Sequence, residues 1–300
     1  MSMPAGARRL PYTPGVYRFR DGAGRILYIG RATQLRSRVG SYWSDLRDRP
    51  RLRRMVAQVT AVEAVVCDSV HEAAWLEHNL LTRRKPRWNR TRGGQESTVH
   101  IGLDAGPAAP GLRVTHLPTP GCYGPYLGGG RTRLAVSGLH RIRPLAYTGS
   151  RLTGAERDLA AKRGVTAGDR ETFAASVAAV LDRDAASVAE ACADLEALRD
   201  RAAEGLQFEL AAQIHEELQA LEWITSPQRV SALEPADLRV AGWADGVLVL
   251  FTVRAGRLDE WTQRPSTAGR AARYLEATPA EWREFATRNA ELAVTLGGGE

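Results

Sequence analysis

The stretch that decides the fold lies near the start of the 300-residue chain and reads Pro14-Gly15-Val16-Tyr17-Arg18-Phe19-Arg20-Asp21-Gly22-Ala23-Gly24-Arg25-Ile26-Leu27-Tyr28-Ile29-Gly30. Apolar and basic residues alternate from Gly15 to Arg20, which predicts a half-buried β-strand. A turn-forming Asp-Gly-Ala-Gly sequence follows, and the residues from Arg25 to Gly30 predict a second strand. The two strands would form a hairpin that brings Tyr17 and Tyr28 near one another.

Helices and one further strand are predicted after this hairpin. A helical pattern begins at Ala32, and a second helix is expected over residues 51–59. Residues 61–68 predict a short strand, and residues 70–83 predict an amphipathic helix. The chain is therefore expected to be of the α+β class. Its residues 10–95 should form a small α/β domain with a central mixed three-stranded sheet flanked by helices.

The rest of the chain divides into four predicted segments. Residues 96–150 are typical of an extension of short strands and one helix, and residues 151–184 of a linker with one weak helix. Leu and Ala recur at helical spacing on both sides of Gly205, which predicts a helical hairpin over residues 185–224. Residues 225–300 predict a β-meander followed by C-terminal helices.

Positive charge is concentrated in the first third of the chain. Residues 1–93 contain 19 Lys or Arg and 7 Asp or Glu, a net charge of +12, whereas the remainder carries −5. This asymmetry predicts a polyanionic partner for the first third alone. The alternative is an arginine-rich composition without such a partner.

Cysteine usage and hydropathy indicate a cytoplasmic protein without a membrane partner. The longest strongly apolar run, Val247 to Val253, is too short to span a bilayer, and no apolar signal region follows the basic N-terminus. Isolated thiols fit a reducing compartment, and no CxxC pair encodes a local metal site. The three cysteines are Cys67, Cys122 and Cys192.

Several residues of the first third suit the hydrolysis of a phosphodiester. That reaction needs an activated water, neutralisation of the phosphate and help for the leaving oxygen. Glu77 is a hard oxygen ligand for a divalent cation, and Arg38 and Arg31 can bind the phosphate. Tyr17 or Tyr28 could transfer a proton if a neighbouring Arg or a metal ion lowered the relevant pKa.

Each of these residues also has a purely structural interpretation. Tyr17 and Tyr28 could simply pack across the hairpin, and Glu77 could be a solvated charge on an amphipathic helix. Asn89 follows a proline and could be a turn or capping residue. From residue chemistry alone, the domain is a basic α/β domain for which nuclease activity is one interpretation.

The same residues resemble a known family. Gly15-Val16-Tyr17, Tyr28-Ile29-Gly30, Arg38, Glu77 and Asn89 have the order and spacing of a GIY-YIG nuclease domain. The stretch is similar to the excision-repair branch of that family, UvrC and its shorter relative Cho, in Leu10-Pro11, Arg31-Ala32, Leu35-Arg36 and Asn79-Leu80.

The resemblance implies a role for each site residue. It implies one divalent ion, Mg²⁺ or Mn²⁺, on Glu77, and attack by water assisted by Tyr17 and Tyr28. It implies that Arg38 contacts the phosphate. Asn89 is expected to hold the site together. The residues expected to contact DNA are Arg31, Arg36, Tyr42 and Asn89. Arg31 stands where the relatives usually have Lys, so it keeps the charge but cannot readily give up a proton.

Later segments also resemble UvrC. Tyr123-Gly124-Pro125-Tyr126 is similar to the segment that precedes an iron–sulfur cluster in full-length relatives, but no cysteine set follows here, so we expect no cluster. Residues 206–214 resemble the UVR motif, a helical hairpin that binds UvrB. The alternative is a generic Ala-rich hairpin. The expected partner-binding residues are Phe208, Ala211, Ala212 and His215.

Together these features predict a metal-dependent DNA endonuclease of the UvrC or Cho kind. It would make one nick, 3′ of a lesion, in damaged double-stranded DNA presented by a UvrB-like protein. Residues 240–258 resemble the segment before the second, RNase H-like nuclease of UvrC, and that second domain is not expected here. Two alternatives are a restriction- or homing-type GIY-YIG nuclease and a catalytically weak adaptor that binds DNA and competes with full-length UvrC.

Overall fold

The computed structural model describes residues 3–44, 49–91 and 96–297, and the predicted domain boundary at residue 95 lies outside them. Within these residues the strands are β1 Gly15–Arg20, β2 Ile26–Ala32, β3 Ala61–Val66, β4 Thr98–Asp104, β5 Gly111–Thr115, β6 Cys122–Leu127, β7 Leu238–Ala244, β8 Val247–Arg254 and β9 Arg257–Pro265. The α-helices are α1 Leu35–Gly40, α2 Pro50–Val56, α3 Val70–Arg83, α4 Gly129–Ile142, α5 Gly154–Lys162, α6 Arg170–Leu181, α7 Ala185–Glu204, α8 Phe208–Thr225, α9 Ala268–Glu276 and α10 Ala280–Gly297. Short 3-10 helices cover Ala5–Arg9, Leu145–Thr148 and Ala167–Asp169. No helix in the described ranges combines the length and apolarity that a bilayer span requires.

The first sheet has the strand order β2-β1-β3 and is antiparallel throughout. Tyr17 on β1 lies opposite Gly30 on β2, and Gly15 lies opposite Val66 on β3. The α+β class is confirmed, but the predicted mixed sheet is wrong. The helices between β2 and β3 return the chain so that β3 runs in the same direction as β2, on the other side of β1.

Both faces of β1 are buried, although its alternating sequence predicted a half-buried strand. Arg18 is only 3% exposed. It donates hydrogen bonds to the Glu63 carboxylate and, at 2.9 Å, to the Trp261 carbonyl oxygen, and its guanidinium lies 3.8 Å from the Trp261 ring centroid. Burial lowers the pKa of Arg18 to about 10, and the charge of Glu63 acts in the opposite direction. The face of β1 expected to meet solvent is therefore buried, with α3 packed against the strand and Arg18 in contact with Trp261 of β9.

Residues 225–300, predicted as a separate segment, lie in the same compact unit as the first sheet. That unit comprises Met1–Gln95 and Pro227–Glu300. Strands β7, β8 and β9 form an antiparallel meander, and α10 packs against β7, β8 and β3. Asn289 on α10 accepts a hydrogen bond from the Val66 N–H at 2.7 Å and donates one to the Val66 carbonyl at 3.2 Å. These two bonds satisfy backbone groups at the outer edge of β3.

The second compact unit comprises Glu96–Ser226. Its sheet has the order β5-β4-β6, and α4, α7 and α8 share one hydrophobic core with it. Glu217 on α8 is fully buried and accepts hydrogen bonds from Arg141 at 2.6 and 2.9 Å and from Ser137 at 2.7 Å. The hairpin of α7 and α8 therefore belongs to the same folded unit as the extension that precedes it.

Two helices, α5 and α6, occupy most of the segment predicted as a linker with one weak helix. The start of α5 is a capping box: the Thr153 hydroxyl accepts from the Glu156 N–H, and the Glu156 carboxylate accepts from the Thr153 N–H at 2.7 Å. This Thr-x-x-Glu pattern marks the start of a helix, and the prediction of a linker did not take it into account.

Candidate active site

Three tyrosines from β1, β2 and the turn after α1 form an aromatic cluster. Tyr17 is fully buried, and its hydroxyl oxygen lies 2.8 Å from that of Tyr42. The ring centroid of Tyr28 lies 6.2 Å from that of Tyr17 and 5.9 Å from that of Tyr42. A Cβ atom at Gly30 would come within 2.5 Å of the Tyr17 hydroxyl oxygen. The glycine that follows Tyr28-Ile29 therefore makes the room that Tyr17 occupies.

Two arginines of α1 lie on different aromatic rings. The guanidinium carbon of Arg38 lies 5.3 Å from the ring centroid of Tyr42, so Arg38 borders the tyrosine cluster. The guanidinium carbon of Arg36 lies 5.2 Å from the ring centroid of Tyr12, which is outside the cluster. Both arginines are exposed. Arg38 is therefore placed with the predicted catalytic residues, whereas Arg36 is an outlying exposed cation.

Burial governs the ionisation of the tyrosines. It raises the pKa of Tyr17 well above its ordinary value, and the neighbouring Tyr42 and Tyr28 add to the effect. Burial also raises the pKa of the half-buried Tyr28, with smaller contributions from Tyr42 and from the negative charge of Glu77. Both hydroxyl groups are thus protonated at neutral pH in the protein alone. In that state they can donate a hydrogen bond but cannot act as tyrosinate bases.

Glu77 on α3 meets Arg31 on β2. The Arg31 Nε and Glu77 Oε2 atoms are 3.4 Å apart, and the two side chains are 33% and 20% exposed. Because the charge of Glu77 contributes to the raised pKa of Tyr28, its carboxylate lies within electrostatic reach of the tyrosine cluster. Arg31 is therefore placed to balance the carboxylate.

The donor set around Glu77 fits a magnesium ion held by one protein carboxylate. Magnesium retains several waters and commonly takes one or two carboxylates together with substrate phosphates. In the part of the chain that the structure describes, no group of three or more His, Cys, Asp and Glu side chains could hold a metal ion. Glu77 is the carboxylate whose charge acts on Tyr28, and it offers one hard oxygen donor group beside the tyrosines.

Asn89 holds the outer edge of β2. Its Oδ1 accepts from the Ile29 N–H at 3.0 Å, its Nδ2 donates to the Ile29 carbonyl at 2.8 Å, and the side chain is buried. The N–H of the preceding Trp88 donates to the Leu27 carbonyl at 3.1 Å. These bonds attach the Trp88-Asn89 segment to the strand that carries Tyr28, and they engage the Asn89 amide that was expected to contact DNA.

A cavity of about 390 Å³ opens beside the tyrosine cluster. Tyr28, Arg38 and Tyr42 line it, which brings together three of the predicted site residues. It also contains Arg51 and five residues to which the sequence assigned no role: Arg49, Leu52, Met55, Trp88 and Arg90. Among those five, only Trp88 was signalled by the sequence, through its position next to Asn89.

The four predicted partner-binding residues lie on α8 of the second unit. Phe208 is 66% exposed, and Ala212 and His215 are also exposed. Ala211 differs from them because it is half-buried and packs against the core of its own unit. Leu206, in the turn before α8, is 73% exposed. The start of α8 therefore presents two large apolar side chains to solvent.

Residues 13–90 match the family model described as the UvrC-like GIY-YIG domain. Over these residues the chain is similar to UvrC-like GIY-YIG domains. This family consists of endonucleases that hydrolyse phosphodiester bonds. The match covers both tyrosine-bearing strands, α1, α3 and the Asn89 segment.

Curated relatives resemble the chain beyond this domain. The UvrABC system protein C of Synechococcus elongatus is 32% identical over 276 residues, which cover 85% of this chain and 42% of that protein. The protein of the same name from Gemmatimonas aurantiaca is 33% identical over 272 residues, with 83% and 43% covered. The chain thus spans less than half the length of these relatives. The magnesium-bound N-terminal GIY-YIG endonuclease domain of UvrC from Thermotoga maritima is 30% identical, with a TM-score of 0.27, and is matched over 29% of this chain and 100% of that chain.

Proposed function

We propose that this protein is a metal-dependent DNA endonuclease that makes a single incision, 3′ of a lesion, in nucleotide excision repair. The observation that carries the proposal is the cluster of Tyr17, Tyr28 and Tyr42 beside Arg38 and Glu77 in a UvrC-like GIY-YIG domain. The basic charge of the first 93 residues supports a DNA substrate. A DNA substrate and free rather than disulfide-bonded cysteines support a cytoplasmic location.

Glu77 is the residue that would hold Mg²⁺ or Mn²⁺. Such an ion supplies positive charge at the phosphate and lowers the pKa of bound water. Arg31 keeps the Glu77 carboxylate in place through the ion pair at 3.4 Å. Because a guanidinium cannot readily lose its proton, Arg31 acts as a fixed charge and not as a proton shuttle.

The exposed Arg38 can form a forked pair of hydrogen bonds with the phosphate as negative charge builds on it. Tyr28 lines the cavity and is protonated at neutral pH, so its hydroxyl group can hold a proton next to the attacking or leaving oxygen. Tyr17 is fully buried, so it acts through its hydrogen bond to Tyr42, which fixes that ring beside Arg38. This assignment makes Tyr28 the tyrosine that meets substrate and Tyr17 the one that positions the cluster.

The test is a nicking assay in Mg²⁺ on a lesion-bearing duplex with Glu77→Gln. The change keeps the size of the side chain and removes its charge, so we expect DNA binding to persist while nicking falls by at least about 100-fold. Glu284→Gln, which changes an exposed carboxylate of the same unit, should nick at the normal rate. Normal nicking by Glu77→Gln would contradict the metal role. Tight binding without nicking by the unaltered protein would instead favour an adaptor that only binds DNA.

We also propose that the hairpin of residues 185–224 binds a UvrB-like protein. The exposed Phe208 supports this role, since aromatic side chains are enriched in protein–protein interfaces, and the exposed Leu206 adds apolar surface beside it. Phe208→Ala should weaken partner-dependent incision by roughly 30-fold, equivalent to about 2 kcal/mol. Leu117→Ala, at a side chain 76% exposed in the same unit, is the matched control. Equal losses with and without the partner would show that Phe208 supports the fold and not docking.

A further inference from the structure

The cavity beside the tyrosine cluster has a lining of mixed chemistry. Leu52, Met55 and Trp88 contribute apolar surface, and Tyr28 and Arg38, which are assigned to the substrate under the proposed function, line the same cavity. Its volume of about 390 Å³ lies within the range of sites that enclose a small organic group. The cavity is therefore large enough for a planar ring and directly continuous with the active site.

We propose that this cavity binds an unstacked nucleobase of the cleaved strand, with Trp88 as the surface on which the base stacks. The inference rests on the proposed function and names the form of DNA that the site accepts. Aromatic side chains stack with any base, because every base has a π-face, and this contact is common where proteins bind single strands. A base that remains inside a B-form duplex cannot reach such a wall, so the site selects DNA that is already distorted.

Charge around the cavity favours a nucleotide over an apolar ligand. Three exposed arginines line it in addition to Arg38, namely Arg49, Arg51 and Arg90. Among the described residues that line the cavity, none is acidic. An aromatic wall combined with arginines matches the two parts of a nucleotide, a flat base and an anionic phosphate.

The position of Trp88 relative to Tyr28 is fixed by the backbone. The Trp88 N–H bonds to the Leu27 carbonyl at 3.1 Å, and the Asn89 amide makes two bonds to Ile29. Hydrogen bonds to Leu27 and Ile29, the residues on either side of Tyr28, thus attach the segment that carries Trp88 to the edge of β2. Binding the base therefore requires little ordering of this segment, which favours affinity.

The test is a double-mutant cycle between protein and DNA. The protein is the full chain with Glu77→Gln, which keeps the DNA uncut, and the probe is a bubble duplex whose nick site has been mapped with the unaltered protein. Trp88→Ala should lower affinity by roughly 5- to 150-fold, the range for loss of one stacking aromatic. With an abasic nucleotide at one position next to the nick, the same change should have almost no effect. Trp88→Phe should retain most of the affinity.

Two further measurements separate stacking from a structural role. Irradiation of 5-iodouracil at the position found by the cycle should cross-link DNA to the peptide that contains Trp88 in the otherwise unaltered protein. Trp243→Phe, at a partly buried tryptophan of the meander, should leave the cycle unchanged. Equal losses on base-containing and abasic DNA, or a cross-link elsewhere, would overturn the inference.

The outcomes also distinguish this inference from the proposed function. If the unaltered protein binds and nicks DNA but the cycle shows no coupling, only the base-binding role of Trp88 fails. If the unaltered protein binds no DNA, the proposed function fails and the base-binding role fails with it.

Discussion

The amide of Asn89 makes both of its hydrogen bonds to Ile29, so the effect of removing it can be estimated. In Asn89→Ala, the Ile29 N–H would lose its acceptor, now at 3.0 Å, and the Ile29 carbonyl would lose its donor, now at 2.8 Å. An unsatisfied buried polar group costs about 1–3 kcal/mol. Because water can partly replace the amide at a strand edge, we expect a total loss of roughly 2–4 kcal/mol from a stability of about 5–15 kcal/mol.

Thermal unfolding and nicking rate together measure this effect. A loss of that size should lower Tm by roughly 4–16 °C, since a unit of this length shifts by about 2–4 °C per kcal/mol. Asn89→Asp keeps the acceptor and loses the donor, so we expect an intermediate fall. Gln58→Ala removes an exposed amide from the same unit and should change stability by less than about 0.5 kcal/mol.

The opposite pattern would refute the reasoning. If Asn89→Ala melts at the normal temperature but no longer binds or nicks DNA, Asn89 contacts the substrate, as the sequence predicted, and does not hold β2. At temperatures where Asn89→Ala is still folded, it should nick more slowly than the unaltered protein. The reason is that it lacks the two hydrogen bonds to Ile29 that help to fix the spacing of Trp88 and Tyr28.

Four further predictions follow from charge, packing and ionisation. Gly30→Ala should reduce stability by about 1–3 kcal/mol and slow nicking, because the new Cβ would lie 2.5 Å from the Tyr17 hydroxyl oxygen. Gly40→Ala should be tolerated, because a Cβ there would meet no atom within 4 Å. Equal effects of the two changes would contradict this prediction. In an absorbance titration up to pH about 10, Tyr28→Phe should remove no tyrosinate signal, because burial raises the pKa of Tyr28. Tyr274→Phe should remove some of the signal, because a hydrogen bond from Arg273 lowers the pKa of Tyr274. The reverse order would refute the assignment. DNA affinity should fall steeply with salt, given +12 on residues 1–93 and −5 elsewhere, and a flat response would exclude electrostatic binding. Purified protein should contain no iron–sulfur cluster, because three scattered cysteines cannot supply four ligands; an absorption band near about 400 nm with stoichiometric iron would disprove it.

Local sequence patterns predicted most elements of the first 90 residues. The strand pair around the Asp-Gly-Ala-Gly turn and the helix Val70–Arg83 follow from periodicity and from turn and capping residues, which act over a few positions. The direction of β3 was not predictable in this way, because a connection of two helices allows either direction. The burial of Arg18 was also missed, since its partner Trp261 lies 243 residues later in the chain.

The candidate site shows the same division between local and distant information. Tyr17, Tyr28, Arg38 and Glu77 were predicted as catalytic residues from motif spacing; the structure places Tyr17, Tyr28 and Arg38 at one aromatic cluster, and the charge of Glu77 acts on Tyr28. The wall formed by Trp88 was missed because a single tryptophan in a loop has no periodicity that marks it. Its position becomes meaningful only once the loop is seen attached to the edge of β2.

The strands that carry Tyr17 and Tyr28 depend on residues outside the 13–90 family match. A three-stranded sheet leaves backbone groups unpaired at both outer edges. Here one asparagine closes each edge: Asn89 bonds to Ile29 on β2, and Asn289 bonds to Val66 on β3. Tyr17 is the neighbour of Arg18, whose guanidinium lies against Trp261 of the meander. Residues of the C-terminal segment therefore contact the sheet that carries Tyr17, so the packing around the tyrosine cluster involves the whole compact unit and not the matched domain alone.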